Sequence, residues 1–345
     1  MIKFFFIIFI ILYIYFKQIE KFSTYARCNN IILNKTYKNV FNKSDIQKTN
    51  IEEADFIFPC GYTNVEHELQ LLNISNNKKI FGISGCDKIV SKDNLWFLLE
   101  TKIGRNKTKK LMPETFLLKN YNHMNLFKKN YKEGNIYIMK NNLQRKKGLK
   151  LTKNYNEIIT ASNYRLVQEY INCYTINKRK LNIRIFIVII CKENQIKLFI
   201  NKYGKCLYTN KNINNSLEPE RNYTSLNLNT NIYNKNPLLY SELKNYQKIK
   251  KKIYNNVKQV ISVVKPHLCK LQNIYHNTKF QLFGLDYIID KNLNPYLLEI
   301  NKGPDMDGKT PKDIKIKEII VEDTLKLVSL MEKSNNNSFE EIIID

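Results

Sequence analysis

Residues 282–306 read LFGLDYIIDKNLNPYLLEINKGPDM. Two apolar, β-prone runs, LFGLDYIID and PYLLEIN, flank the polar stretch Lys291-Asn292-Leu293-Asn294, which is the pattern of a β-hairpin. If Asp290 pairs with Pro295, antiparallel numbering sets Asp286 directly opposite Glu299. Asn301, two residues on, shares a face with Glu299 because side chains alternate along a strand. Three oxygen-bearing side chains then converge inside an otherwise apolar segment. A buried carboxylate costs free energy unless a cation accompanies it. Two facing carboxylates repel unless they share a proton or a cation. Oxygen ligands from few carboxylates suit Mg2+, which keeps waters and completes its shell with nucleotide phosphates. The segment therefore reads as a seat for Mg2+ carrying ATP. The alternative is an edge-strand Glu and Asn that face water.

The rest of the chain is basic. Its 345 residues carry 56 Lys+Arg against 31 Asp+Glu, a formal net charge of +25. Such an excess calls for an anionic partner: nucleic acid, acidic lipid, nucleotide or an acidic protein tail. The basic residues are spread out, with runs at 107–110, 145–150 and 248–252. No basic–aromatic signature of an RNA-recognition sheet occurs, so no specific nucleic-acid partner is expected. A hydrophobic content of 43%, with 22 Tyr and 18 Phe, argues for a packed core rather than disorder. The seven cysteines are odd in number, scattered and without a Cys-x-x-Cys pair. Reduced structural thiols are expected, not a disulfide framework or a zinc site.

Residues 4–16 (FFFIIFIILYIYF) form an uncharged apolar run between Lys3 and Lys17. A bilayer span takes about 20 apolar residues, so this run fits a signal-peptide core or a short signal-anchor, and residues 1–22 are expected as a membrane segment. Residues 23–53 are polar and read as a linker. From 54 to 111, short apolar runs (ADFIFPC, KIFGIS) alternate with helical patterns (VEHELQLL, KDNLWFLL), a small N-terminal α/β domain. A central subdomain over 112–180 holds MPETFLL and the strands NIYIMK and RLVQEYI. A C-terminal subdomain over 181–332 opens with LNIRIFIVIIC and QIKLFI, a hairpin of central strands. It continues through an Asn-rich loop, a basic amphipathic helix over 241–264, the opening segment and a last helix over 314–331. Residues 333–345 read as a tail. Strands and helices in this order give an α+β fold.

The motifs, taken in order, resemble the tubulin–tyrosine ligase family, with its ligase-like glutamylases and glycylases, within the ATP-grasp superfamily. KIFGISGCDKIVSKDNL (79–95) resembles the family segment that ends in a Lys-Asp-x-Leu helix start, and MPETFLL its Pro-Glu-Thr strand entry. YIMKNNLQRKKGLKL resembles the phosphate-covering segment, VQEYI the hinge, and KLNIRIFIVI the Lys-x-Asp-x-Arg strand. FGLDYIID…LLEIN resembles the metal-binding hairpin, and TPKDIKIKEIIVEDTLKLV the final helix. The likeness covers about residues 55–330 and implies an ATP-grasp fold with ATP and Mg2+ as cofactors. It assigns Asp286, Glu299 and Asn301 to the metal. It assigns Lys140, Arg145, Lys146 and Gly148 to the phosphates and their cover. Gln168, Glu169 and Tyr170 would receive adenine, with Lys180 and Asn182 also on the nucleotide. Arg184 would stabilise the transferred phosphoryl group, and Lys92 would reach the acceptor or the phosphates. Thr230 and Asn231 match a substrate-loop pair.

The implied activity is amino-acid ligation. A carboxylate on an acidic protein tail, with tubulin tails as the family acceptor, is phosphorylated by ATP and then captured by the amine of a free amino acid. A basic groove would attract such tails. ATP dependence implies a cytoplasmic catalytic body, membrane-anchored through residues 4–16. Three departures stand out. Asn182 replaces the family Asp, Asn141 replaces a Pro after Lys140, and Leu207 stands where an arginine is expected. An ATP-grasp ligase with another acceptor, or a catalytically impaired basic binding module, are the competing readings.

Overall fold

The structure, a computed structural model, describes residues 23–27, 33–58, 65–141, 148–332, 334 and 336–344. The apolar run 4–16, the cysteines Cys28 and Cys60, and Arg145, Lys146 and Lys147 lie outside the described residues.

The N-terminal part runs β1 (Thr24–Arg27), α1 (Lys35–Lys43), β2 (Gln47–Lys48), β3 (Phe56–Phe58), α2 (Val65–Gln70) and β4 (Lys79–Phe81). Three helices follow: α3 (Cys86–Val90), α4 (Lys92–Ile103) and α5 (Arg105–Leu111). The middle runs β5 (Thr115–Leu117), α6 (Tyr121–Asn130), β6 (Tyr137–Lys140), β7 (Leu149–Thr152), α7 (Tyr155–Ile159), β8 (Leu166–Glu169) and β9 (Thr175–Ile176). Next come β10 (Arg179–Lys192), β11 (Gln195–Asn201), β12 (Lys205–Tyr208), α8 (Pro219–Asn222) and α9 (Tyr246–Val264). The chain closes with β13 (Thr278–Ile289), β14 (Pro295–Asn301), α10 (Pro311–Leu327) and β15 (Phe339–Ile342).

β10 organises the molecule. In RKLNIRIFIVIICK every second residue is a large aliphatic, so one face of the strand is continuously apolar. Leu181, Ile183, Ile185, Ile187 and Ile189 share a core with α9, whose Ile249, Ile253, Val257, Val260, Ile261 and Val264 repeat at helical spacing. Each such side chain contributes about 1.5–3 kcal/mol when taken out of water. The opposite face of β10 is divided. Phe186 and Val188 pack with Phe280 and Leu282 of β13, with Val40 and Phe41 of α1, and with Ile320, Val321 and Leu325 of α10. Lys180, Asn182 and Arg184, at the other end of that face, have no such cover and are left for polar work.

Ordered by hydrogen bonding, the main sheet reads β15-β11-β10-β13-β4-β3-β1-β2, with β12, β9 and β14 pairing at its sides. β4 lies parallel to β13, so the segments expected as separate N- and C-terminal domains share one sheet. A second, four-stranded antiparallel sheet, β5-β8-β6-β7, has its own core of Phe116, Phe127, Tyr137, Met139, Ile158 and Val167. The mixed α/β architecture is therefore present, with its layers arranged as helices, sheet, helices around β10.

Three expectations are corrected. Residues 23–53 are no linker: β1 pairs with β2 and β3, and Tyr37, Val40 and Phe41 of α1 are buried. Hydrophobic residues spaced for one helical face were hidden there by the Asn and Lys around them. The tail at 333–345 contributes β15, which pairs with β11. Cys191 at the end of β10 and Cys269 form a disulfide across 78 residues of chain, where reduced thiols were expected. Cys86, Cys173 and Cys206 are free and buried. Burial pushes the Cys86 and Cys206 thiols up to about 12, which leaves them unreactive.

Candidate functional site

The hairpin β13–β14 places Asp286 opposite Glu299 as expected, but by another route. Ile289, not Asp290, pairs with Pro295, and a bulge between the Tyr287–Leu297 and Asp286–Glu299 pairs restores the register. Leu298 is the extra residue, and without it Glu299 would turn to the other face. The pairing continues sideways. Asp286 lies opposite Arg184 of β10, and Arg184 lies opposite Lys205 of β12. Lys205, Arg184, Asp286 and Glu299 thus form one transverse row across four strands, two cations followed by two carboxylates.

Within the row, Arg184 holds Asp286 with both forks of its guanidinium, Nε to Oδ1 and Nη2 to Oδ2, each at 2.7 Å. Gly284 leaves room for Pro304: a Cβ there would lie 2.9 Å from Pro304 Cβ, while Arg184 Cδ at 3.5 Å would be in ordinary contact. Lys92, the first residue of α4, reaches Glu299 at 3.3 Å, and Asn301 Nδ2 donates to Glu299 Oε1 at 3.4 Å. Burial holds the Asp286 carboxyl above the usual range despite Arg184. Burial also pushes Glu299 up, but Lys92, Lys140 and Arg184 together outweigh it and keep that carboxyl low. The two facing carboxyls are thus driven apart in acidity, as a shared site requires.

Lys140, at the end of β6, comes from the second sheet. It is buried, with its ammonium donating to Gln168 Oε1 at 2.6 Å, and Gln168 donating in turn to Thr115 Oγ1 at 2.8 Å. Burial lowers Lys140 to about 7, with Lys92 and Lys180 adding to the fall against Glu299. Lys180 is buried too and lowered to about 8 by desolvation, its ammonium lying 4.1 Å from the centre of the Tyr170 ring. Neither lysine has an ion-pair partner among the described residues. Glu299 is the carboxylate that acts on Lys140, and it is shared with Lys92 and Arg184.

Gly148 has φ +77, and a Cβ on it would strike Asn141 Oδ1. The Asn141 N–H donates to Gly148 O at 3.1 Å, so the residue in place of the family Pro closes the β6–β7 segment with a bond a Pro could not make. At the hinge, the N–H groups of Glu169 and Tyr170 already donate to Glu114 O and Ile136 O. A base bound there would need other groups of the hinge. Tyr170 Oη donates to Asn222 Oδ1 at 2.7 Å, and Asn182 Nδ2 donates to Thr224 Oγ1 at 3.1 Å. Asn182 Oδ1 is buried without a hydrogen-bond partner.

The structure brings Lys92 of α4 together with Lys140, Lys180, Asn182, Arg184, Asp286, Glu299 and Asn301 from both sheets. Thr230 and Asn231 fall instead in the short 3-10 turn Thr230–Asn234, where the Asn231 N–H donates to Asn229 Oδ1. The loop meets the site through Asn222 and Thr224, which the sequence reading did not single out. It also missed Lys205, Asp313 and Lys317. Period-2 alternation from the KCLY strand was the available signal for Lys205, and i,i+4 spacing on α10 for the other two. No group of three or more His, Cys, Asp or Glu side chains placed to hold a metal occurs among the described residues. The available donor set is two carboxylates and an amide oxygen, which suits only a hard cation that brings further oxygen ligands with it.

A mixed α/β scaffold thus carries a row of two cations and two carboxylates flanked by buried lysines. The model of the Tubulin-tyrosine ligase family matches residues 70–208 and 201–337, and the chain belongs to that family. It is 28% identical over 224 residues to Tubulin glycylase 3D of Tetrahymena thermophila, covering 57% of this chain and 21% of that protein. It is 26% identical over 261 residues to a Probable beta-tubulin polyglutamylase of the same organism, covering 66% of this chain and 22% of that protein. To the mouse Tubulin monoglutamylase TTLL4 it is 28% identical over 193 residues, 48% of this chain and 16% of that protein. The chain spans about a fifth of the length of these relatives.

Proposed function

We propose that this chain is an ATP- and Mg2+-dependent ligase of the ATP-grasp type. It joins an amino acid to a carboxylate of an acidic protein tail, with tubulin tails as the acceptor. The observation that carries the reading is the charged row of Lys205, Arg184, Asp286 and Glu299 together with the buried lysines Lys140 and Lys180. The relatives named as glycylases and glutamylases of tubulin support the acceptor.

Asp286, Glu299 and Asn301 are the residues that would hold Mg2+, which would supply neutralisation of phosphate charge. Lys140 and Lys180 bind the phosphates. The unpaired Asn182 Oδ1 accepts a hydrogen bond from the nucleotide. The acceptor carboxylate oxygen attacks the terminal phosphorus and ADP leaves. The amine nitrogen then attacks the carbonyl carbon, and phosphate departs as the amide forms. Arg184 stabilises the oxygens of the transferred group in both steps. Arg184, held by Asp286, and Lys92, beside Glu299, are the cations placed to meet phosphate and acceptor oxygens.

The test is incorporation of radiolabelled Glu, Gly and Tyr into tubulin with ATP and Mg2+, beside Glu299→Gln. That variant keeps shape and removes charge, so turnover is expected to fall by at least about 100-fold with folding retained. Unchanged turnover in the variant would refute the metal assignment. Asn182 and Leu207 favour one other reading, a basic binding module that has lost its chemistry. ATP binding without turnover on any acidic acceptor would support it.

A further inference from the structure

In the second sheet, Thr115 of β5 lies directly opposite Gln168 of β8. On its other side β8 pairs with β6, where Lys140 lies opposite Leu166, so Lys140 and Gln168 are diagonal neighbours on one face. The three polar side chains are almost wholly covered. The Thr115 hydroxyl donates to Pro113 O at 2.8 Å, which spends its proton and leaves its oxygen to accept. Gln168 Nε2 donates to that oxygen at 2.8 Å and lies 3.4 Å from Pro113 O. Two acceptors at that end decide which way the side-chain amide faces. Gln168 Oε1 is thereby turned to Lys140, whose ammonium donates to it at 2.6 Å. The reverse orientation would set an amide N–H against an ammonium and Gln168 Oε1 against two oxygens. β5 itself is fixed from α5, where Arg105 donates from Nη2 to Thr115 O at 2.9 Å and from Nε to Glu114 Oε1 at 3.0 Å.

We propose that Thr115 is a positioning residue for the nucleotide: through Gln168 it holds the Lys140 ammonium in place to meet phosphate oxygens. The inference rests on the ligase reading above. A free lysine side chain gives up much rotamer freedom when it is immobilised on a ligand, and holding it beforehand lowers that cost. An ammonium has three N–H donors, and Gln168 takes one, which orients the others. Gln168 is only 3% exposed and both ends of its amide are engaged within the protein. It therefore serves the phosphate end of the nucleotide, not the adenine expected from its place in the hinge.

The experiment measures the Kd of ATP, with Mg2+ present, for the full chain and its variants. Thr115→Val keeps the shape and removes the hydroxyl, and should weaken ATP binding by about 10-fold, the order of one buried hydrogen bond. Thr115→Ser restores the hydroxyl and should recover most of the loss. In a Lys140→Met background Thr115→Val should cost nothing further, because its effect passes through Lys140. An equal loss in both backgrounds, or a larger loss in Thr115→Ser than in Thr115→Val, would make Thr115 a packing residue and overturn the proposal. So would unchanged ATP binding by Thr115→Val. Because that variant could unfold, Gln168→Met gives a second reading and should weaken ATP and GTP by the same factor. A loss confined to ATP would show that Gln168 reads the base, which also overturns the proposal and leaves the ligase reading standing. Failure of wild type to bind ATP removes the ligase reading itself and the proposal with it.

Discussion

Lys140 is the residue whose charge state is set most sharply by its surroundings. Its pKa falls from 10.5 to about 7 because burial removes water from the ammonium. A lysine with a depressed pKa binds its proton less well in the folded than in the unfolded chain. The penalty for keeping it charged is therefore complete below about pH 7 and is relieved as pH rises from there toward 10.5. Lys140→Met should accordingly stabilise the nucleotide-free protein most at about pH 6, with the advantage over wild type shrinking by about pH 9. Denaturant unfolding of both proteins across that range checks the sign, and a difference independent of pH would show that Lys140 is not held as described. At this scale the sequence was informative. Lys92, Lys140, Arg184, Asp286, Glu299 and Asn301 were all named from motifs, and they meet. Lys205 and Lys317 were not, because a lysine in a chain with 56 basic residues carries no distinguishing mark until its burial is known.

Among the elements, the β13–β14 hairpin was legible in outline and misread in detail. Two β-prone runs around a polar turn announce a hairpin, but nothing in NPYLLEIN shows that Leu298 bulges. A bulge is decided by how the strand must bend to keep both its apolar and its polar face in place. Gly284 shows the same tightness from the partner strand, since a side chain there would press on Pro304. Gly284→Ala should cost about 1–3 kcal/mol in unfolding free energy through Pro304, with turnover per folded molecule little changed because Arg184 would stay at ordinary contact distance. A disproportionate fall in turnover would show that Arg184 is displaced as well. The substrate-loop pair Thr230-Asn231 illustrates the opposite failure. A short polar dipeptide in an Asn-rich loop fixes no position, and Asn222 and Thr224 make the contacts instead.

For the whole molecule, the main sheet binds the first and last parts of the chain through the parallel pair β4–β13. Next to that pair, the Cys191–Cys269 disulfide ties the far end of β10 to the segment after α9. Closing a loop of 78 residues restricts the unfolded chain, so Cys191→Ala with Cys269→Ala should lower unfolding free energy by about 2–4 kcal/mol. Comparison of the double variant with wild type under non-reducing conditions measures it, and equal stability would show that the bond adds nothing. Distance along the chain hid this pairing, as an odd cysteine count says nothing of which sulfurs meet.

By itself the sequence determined the mixed α/β class, the apolar face of β10, the carboxylate hairpin and the family. Each of these is written in local spacing, period 2 for strands, 3.6 for helices, or in an ordered run of motifs. Only the tertiary structure decided that β1 and β2 join the sheet, that a bulge sets Glu299 beside Asp286, and that Lys205, Asp313 and Lys317 lie next to Arg184. It also decided that Cys191 and Cys269 are bonded. These depend on burial and on contacts between segments far apart in the chain. Such contacts form only when the two faces of β10 have both found their cover.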